Sequence, residues 1–410
     1  LKAIVVKGSG ELSAANPDQL KELYKEANKE MLDSIDLNVW RKQGTMQWIE
    51  WSNEMCCLPT RNFQDVQFEA FRKIDGLTMV SKTRVHNKGC YLCPVNCGQV
   101  NRARGVEVEG PEYETAAMLG SNCAIESLED IVYANYLCDQ YGMDTISTGN
   151  VIAFAMECFE KGFLDQVDTG GLKLKFGNSD ALLETIRKIA FREGLGNLLA
   201  EGVRAVSLKI GGGTERFAME VKGLEMSGYD VRAAPAMALA YATADIGAHH
   251  NRAWALTYDI KTGRKNYGEE KVRWIIYLQH LRPLFDCLGV CRFTWVEFNL
   301  KPEYYAKFYS YATGLETSLE TLLQRSERIW NLTRLISLRQ GLKPGEDWLP
   351  ARVFEDPIPS GPFKGLTLNR EAFSIMLQQY YKFRGWNSKG IPSESKLKEL
   401  GVLEAPKLSP

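Results

Sequence analysis

Three cysteines fall within eight residues, in "CYLCPVNCGQ" at positions 90–99, and they restrict what this chain can fold into more than any other feature of it. Soft thiolate donors packed this densely, as Cys90-x2-Cys93-x3-Cys97, select zinc or an iron–sulfur cluster. The segment reads as a short loop in which Pro94 and Gly98 supply the bends that turn the sulfurs inward. A zinc site would normally add a second paired Cys/His knuckle, and the later chain offers only "DCLGVC" at 286–291, with His86 left as a mixed-site donor. The spacing therefore favours a cluster held by Cys90, Cys93, Cys97 and a distant fourth thiol, so the fold must bring another part of the chain back to this loop. Arg84, Lys88, Arg102 and Arg104 flank it, either offsetting the negative charge of such a core or serving as ordinary surface charges.

Folding itself does not call for these thiols. With 410 residues, 45% of them hydrophobic, the chain can bury a large interior without staples. Its ten cysteines are spread through a core-rich sequence, which fits reduced thiols and a cytoplasmic setting. A formal charge of -1, from 50 basic and 51 acidic residues, leaves no footprint for nucleic acid or an anionic membrane. No signal peptide opens the chain, and no apolar run reaches the ~18 residues of a membrane span. The opening "LKAIVVKGSGEL" reads as a strand and turn without partners, so the chain is expected to be the later part of a longer protein.

Apolar residues recur mostly at helical spacing. Asn16-Pro17-Asp18 opens a helix carrying Leu20, Leu23, Tyr24, Ala27 and Met31, and Ser127 with Asp130 opens another that Gly142 stops. Residues 318–341 and "NREAFSIMLQQYYKFRGW" give two further amphipathic helices, whereas strand signals are confined to "AIVV", "ERFAMEVKG" and "GVEVEG". The expected architecture is mostly α: two packed helical domains, 1–219 with the cysteine loop and 220–410, and a few short strands. The division is placed where glycines interrupt the helices in "LKIGGGTERFAMEVKGLEMSGYD".

Three polar segments could carry chemistry. In "EGPEYET", Glu112 and Glu114 are acid/base candidates, or simply acids in a solvated first helical turn. "GAHHNR" presents His249 and His250 on a turn, where a neutral imidazole can donate to a carbonyl oxygen or serve as a core hydrogen-bonding group. Asp144 reads as the N-cap of a helix beginning at Thr145.

Taken in order, "CYLCPVNC", "EGPEYETAAMLGSNC", "GMDTISTGN", "ATADIGAHHNR" and "DCLGVC" closely resemble the aldehyde:ferredoxin oxidoreductase family of tungsten-pterin enzymes. The resemblance covers that family's two C-terminal helical domains. Its N-terminal β-rich domain, on which the pterin lies, is represented only by the first dozen residues. The resemblance implies a [4Fe-4S] cluster held by Cys90, Cys93, Cys97 and Cys291, with Cys287 as the rival fourth ligand. It also implies a tungsten (or molybdenum) bis-pterin contacted by Asp286 and Gly289 of a D-x-x-G-L-C motif, here with Val290 for Leu. Asp144 of a looser partner motif and Arg252, suited to a pterin phosphate, would complete the contacts. Glu114 and His250 would face the metal, Tyr229 the substrate, and Cys123 is either near the metal or an inert buried thiol, with Cys56 and Cys57 unassigned.

The activity so implied is oxidation of aldehydes, as small-molecule substrates, to carboxylic acids, with ferredoxin taking the electrons. The alternatives are reduction of an acyl-CoA aromatic ring within the same fold, or a non-catalytic iron–sulfur subunit. A homo-oligomer stays open, without the Glu-x-x-His pair that some members use for a metal joining two subunits.

Overall fold

Helix starts in this chain are set by side chains that satisfy the first free backbone N–H groups. Ser127 accepts from the Asp130 N–H at 3.3 Å and Gly142, in the left-handed region, closes the helix Leu128–Tyr141. Asp144 opens the helix Thr145–Glu160 by accepting from the Ser147 N–H at 2.7 Å. Ser318 and Asn369 do the same for Leu319–Arg339 and Arg370–Phe383, and Pro17 begins Pro17–Leu32. The computed structural model describes residues 4–296 and 298–402, and across these the expected mostly α architecture holds, with strands only in two small sheets.

The first sheet is antiparallel in the order β1 (Arg84–Lys88), β2 (Gly98–Ala103), β3 (Val106–Glu109). The cysteine loop joins β1 to β2, with Lys88 opposite Gly98 at its base. Its bends differ from the expected ones: Leu92 and Asn96 take the left-handed conformation, with φ of 55° and 56°. Gly98 instead lets two strands close, since a Cβ there would meet the Lys88 carbonyl oxygen at 2.4 Å. Pro94 contributes a carbonyl oxygen that accepts from Arg41 Nη2 at 2.7 Å, tying the loop to the preceding helical layer. The second sheet pairs β4 (Glu220–Val221) with β5 (Leu224–Glu225) through Lys222-Gly223, both at positive φ as such a tight hairpin requires. The expected strand "AIVV" does not form: Ala3 lies outside the described residues, and Ile4, Val5 and Val6 are exposed and unpaired. An extended segment becomes a strand only when a neighbour completes its ladder.

One core runs from Met46 to Trp386 and draws on both sides of residue 220. A smaller one, around Leu281, Phe285, Tyr305 and Leu322, joins the helices Glu269–Leu288, Glu303–Thr313 and Leu319–Arg339. Within the main core Gly149 lets the helix Thr145–Glu160 approach closely, because a Cβ there would sit 2.6 Å from the Met118 carbonyl. Several buried charges are paired. Arg352 grips Glu157 through two nitrogens at 2.6 and 2.8 Å, and Asn62 donates to the same carboxylate at 2.7 Å. Lys271 meets Asp259 at 2.6 Å with both side chains fully buried. Among the described residues no helix is long and apolar enough to cross a membrane.

Candidate functional site

Glu114 lies in the one-turn helix Tyr113–Thr115, which widens at once into a π-helical turn, Ala116–Gly120. Such turns are frequent at functional sites because they re-aim the side chains they carry. Glu112 accepts from the Thr45 hydroxyl, whereas Glu114 turns inward, its Oε2 accepting from the Gly228 N–H at 2.7 Å. Glycine makes that contact feasible: a Cβ at 228 would stand 2.9 Å from Glu114 Oε2.

His250 reaches the same place from the other half of the chain. Gly247, at φ 110°, presses its loop onto β4, where a Cβ would meet the Val221 carbonyl oxygen at 2.4 Å. His249 then starts a short 3₁₀ turn by accepting from the Asn251 N–H at 3.1 Å, and His250 follows as its first residue. As a result His250 Nδ1 lies 3.0 Å from Glu114 Oε1. Their approach is not aligned for a hydrogen bond, so both buried atoms are without a hydrogen-bond partner. Tyr229 stands edge-on to His250 at 5.6 Å between ring centres and stacks on Tyr113 at 4.7 Å.

These groups line one cavity of about 320 Å³ together with Thr45, Trp48, Cys97, Ile146, Trp254 and Arg292. Removal from water dominates its electrostatics. Burial drives the Glu114 carboxyl up to about 7, against the opposing pull of the Gly228 amide. Burial, then the nearby Arg292 and Arg282, holds His250 well below its ordinary 6.5. His249 falls to about 4 for the same first reason, aided by its stacked neighbour. Burial also lifts the Tyr229 phenol above its usual range. Near neutrality the cavity therefore presents a neutral imidazole, a protonated phenol and a carboxyl that can both take and return a proton.

Cys97 connects this cavity to the cysteine loop. Burial, followed by Glu112 and the thiols of Cys291, Cys93 and Cys90, raises Cys97 to about 12. Cys291 is exposed as a residue, yet burial of its sulfur and the proximity of Cys93 and Cys90 raise its thiol as well. Cys97 and Cys291 thus each lie within electrostatic reach of Cys93 and Cys90 although nearly two hundred residues separate them, while Cys287 is exposed on the last turn of Glu269–Leu288. Among the described residues no three His, Cys, Asp or Glu side chains close tightly enough to hold a single metal ion. A four-iron cluster spreads its thiolates over several metal atoms, so four soft donors set wider apart suit it better than they suit zinc. His86 is exposed on β1, and the flanking cations are engaged elsewhere: Lys88 with Glu109, Arg102 with Glu107, Arg104 with Asp130 and Arg84 with Gln99.

Of the other predicted positions, Asp286 and Arg252 come together as an ion pair at 2.5 Å, and Arg252 also meets Asp245 at 2.9 Å. Gly289, at φ 65°, closes the helix Glu269–Leu288 and turns the chain toward Cys291. Asp144 caps its helix as expected and borders a neighbouring cavity rather than the one holding Glu114. Cys123 is buried and donates to the Met118 and Gly149 carbonyls at 3.3 and 3.5 Å, and Cys56 and Cys57 donate to Glu54 and Ser52. None of the three lines the cavity. Sequence reasoning missed Thr45, Trp48, Trp254 and Arg292; only Arg292 carried a signal, its place directly after Cys291.

Residues 22–402 match the family model for aldehyde ferredoxin oxidoreductase, domains 2 and 3. A tungsten-containing aldehyde ferredoxin oxidoreductase of Pyrococcus abyssi is 40% identical, over 98% of this chain and 67% of its own length. An aliphatic sulfonate oxidoreductase, WOR-like subunit, of Pyrococcus furiosus is 30% identical over 99% of this chain and 64% of its own length. Among solved structures, the active-site complex BamBC of benzoyl coenzyme A reductase with 1,5-dienoyl-CoA superposes with a TM-score of 0.75. It is 21% identical and covers 97% of this chain and 67% of that one, a likeness of fold. The chain spans about two thirds of the length of these proteins.

Proposed function

The chain belongs to the aldehyde ferredoxin oxidoreductase family, an oxidoreductase family, and on that premise we propose that its protein oxidises aldehydes to carboxylic acids with ferredoxin as electron acceptor. The observation that carries the proposal is the facing pair Glu114 and His250, 3.0 Å apart, in a cavity whose wall includes Cys97. The cofactors proposed are a tungsten bis-pterin and one [4Fe-4S] cluster. Their residues fit: Glu114 and His250 on the cavity wall each keep a buried polar atom without a hydrogen-bond partner, and Cys97 on the same wall lies within electrostatic reach of Cys90, Cys93 and Cys291. Cys90, Cys93, Cys97 and Cys291 would hold the cluster, and Asp286, Gly289, Arg252 and Asp144 would contact the pterin.

The overall change converts an aldehyde and water into a carboxylic acid, two protons and two electrons. When bound, the metal–pterin group would supply the acceptor for the electron pair, and the cluster would supply the one-electron path to ferredoxin. The chain's own residues handle the rest. His250, kept neutral by burial, donates its N–H to the aldehyde oxygen and so polarises the carbonyl. Glu114, poised near 7, accepts a proton from the attacking water and releases it afterwards. Tyr229, protonated at any working pH, offers a second donor to the same oxygen, and Trp48 and Trp254 keep the cavity apolar on the substrate side. The greater identity to aldehyde enzymes than to the sulfonate enzyme supports an aldehyde as substrate.

The test is metal analysis and an aldehyde panel on the full-length protein purified anaerobically. One tungsten and four irons per chain, with ferredoxin-dependent oxidation of several aldehydes, is the expected result. Zinc alone, or no turnover of any aldehyde by a tungsten-loaded sample, would refute it.

A further inference from the structure

We infer that Arg292 fixes the tautomer of His250, holding the ring proton on Nδ1, the nitrogen beside Glu114. Arg292 is thereby a positioning residue, acting on the substrate only through the imidazole. The place of the proton follows from the geometry, whereas its use in catalysis rests on reading the cavity as an aldehyde-oxidising site.

A guanidinium carries N–H donors and no acceptor. Arg292 Nη2 lies 3.4 Å from His250 Nε2, so the two groups can bond only if Nε2 presents a lone pair. A ring protonated at Nε2, neutral or cationic, would set N–H against N–H, and the cationic form would add a second positive charge to a buried place. Arg292 is engaged elsewhere as well, and because it donates in every hydrogen bond it makes, no other partner changes what it requires of Nε2. Burial keeps the imidazole neutral, which leaves Nδ1 as the seat of its one proton. The stacked neighbour is the opposite tautomer: His249 Nδ1 accepts from the Asn251 N–H at 3.1 Å, so its proton is on Nε2.

The choice matters because His250 Nδ1 is 3.0 Å from Glu114 Oε1. In the other tautomer Nδ1 would carry a lone pair, and the protonated form of Glu114 could donate to it. That bond would tie up the acid and remove the N–H from this side of the ring. With the proton on Nδ1, the N–H proposed to polarise the aldehyde carbonyl is the one beside Glu114, so donor and base stand together.

The experiment uses the full-length holoenzyme and its R292K and R292M variants, each compared with the same protein carrying H250N. Infrared difference spectra within each pair isolate one of the chain's four histidines, and the C4–C5 stretch of the ring separates Nδ1–H from Nε2–H. The expected result is an Nδ1–H ring in wild type and in R292K, whose ammonium also only donates, and an Nε2–H ring in R292M. For an aldehyde substrate, R292M should lower kcat about 10²- to 10⁴-fold while KM changes less than about threefold, and R292K should recover most of that loss. The cluster's EPR signal should be unaltered in both. An Nε2–H ring in wild type, an Nδ1–H ring retained in R292M, or an equal loss of kcat in the two variants would overturn the inference. The wild-type spectrum decides the tautomer even if R292M fails to fold. A wild type with an Nδ1–H ring that oxidises no aldehyde would overturn the functional reading and leave the tautomer standing.

Discussion

Asp286 Oδ2 lies 2.5 Å from Arg252 Nη1, joining the last turn before Cys291 to the turn that carries His250. The Asp286 side chain is 65% exposed, so water screens the pair and its contribution to stability is small, about 1 kcal/mol or less. Its value lies in where it sits, since both residues belong to the proposed pterin contact. We therefore expect D286N and R252Q each to unfold within about 1 kcal/mol of wild type while retaining markedly less tungsten after anaerobic purification. Elemental analysis checks this, and full tungsten occupancy in both variants would rule out the contact.

Glu114 makes stability fall as pH rises. Its carboxyl moves from an ordinary 4.5 to about 7 in the fold because burial penalises the charged form. The folded state therefore favours the protonated acid: the stability is present in full below 4.5 and is lost as pH rises toward 7, after which it levels off. Linkage sets the size of that loss at about 3 kcal/mol. E114Q lacks the titration, so it should match wild type near pH 4.5 and exceed it at pH 8. Urea unfolding of the two proteins at both pH values measures this, and equal differences at the two pH values would refute the buried, raised carboxyl.

Catalysis should respond oppositely to the same residue. E114Q and H250N remove proton handling and carbonyl polarisation, and each should lower kcat about 10²- to 10⁴-fold while thermal unfolding shows the fold intact. Retention of wild-type kcat in either variant would remove that residue from the mechanism.

What could be read in advance follows from how local each signal is. The capped helix starts at Ser127, Asp144 and Ser318 each involve a side chain and an N–H three residues on, so nearby sequence contains the whole cause. The strand Arg84–Lys88 was not legible because it alternates no apolar residues: its faces are polar and half exposed, and pairing with Gly98–Asn101 alone defines it. The loop bends fell on Leu92 and Asn96 rather than on Pro94 and Gly98 because the hairpin register, a property of both strands, decides where the chain must reverse. Cavity residues such as Trp48 and Trp254 gave no signal at all. An aromatic residue on a helix or turn is ordinarily core, and only the convergence of segments from Thr45 to Phe293 turns these into walls.

Arg352 should be the costliest polar side chain to remove of those remote from the site. It holds Glu157 by two bonds in an interior where both side chains are almost fully buried, and it also donates to the Asn62 carbonyl. Truncation to alanine would leave the buried Glu157 carboxylate to Lys161, 2.9 Å away and half exposed, and should cost about 3 kcal/mol, whereas R352M combined with E157L should cost less because the only charge it leaves behind is Lys161, which can turn to water. Denaturant titration of the three proteins decides the point. A double variant no better than R352A would mean that the pair acts through shape rather than charge.

Cysteines 287 and 291 should separate cleanly. Both belong to "DCLGVC", but Cys287 ends a helix on its exposed side, whereas Gly289 in the left-handed conformation turns the chain toward Cys291, whose sulfur is buried and within electrostatic reach of Cys93 and Cys90. A thiolate ligand cannot be replaced by the harder, less readily ionised oxygen of serine without loosening an iron–sulfur core. C291S should accordingly lose the EPR signal of the reduced cluster or convert it to a different form, with iron falling below four per chain. C287S should retain wild-type iron content, spectrum and aldehyde activity. The reverse pattern would move the fourth ligand to Cys287 and require the last turn of Glu269–Leu288 to unwind, a change that amide hydrogen exchange across residues 283–289 would detect.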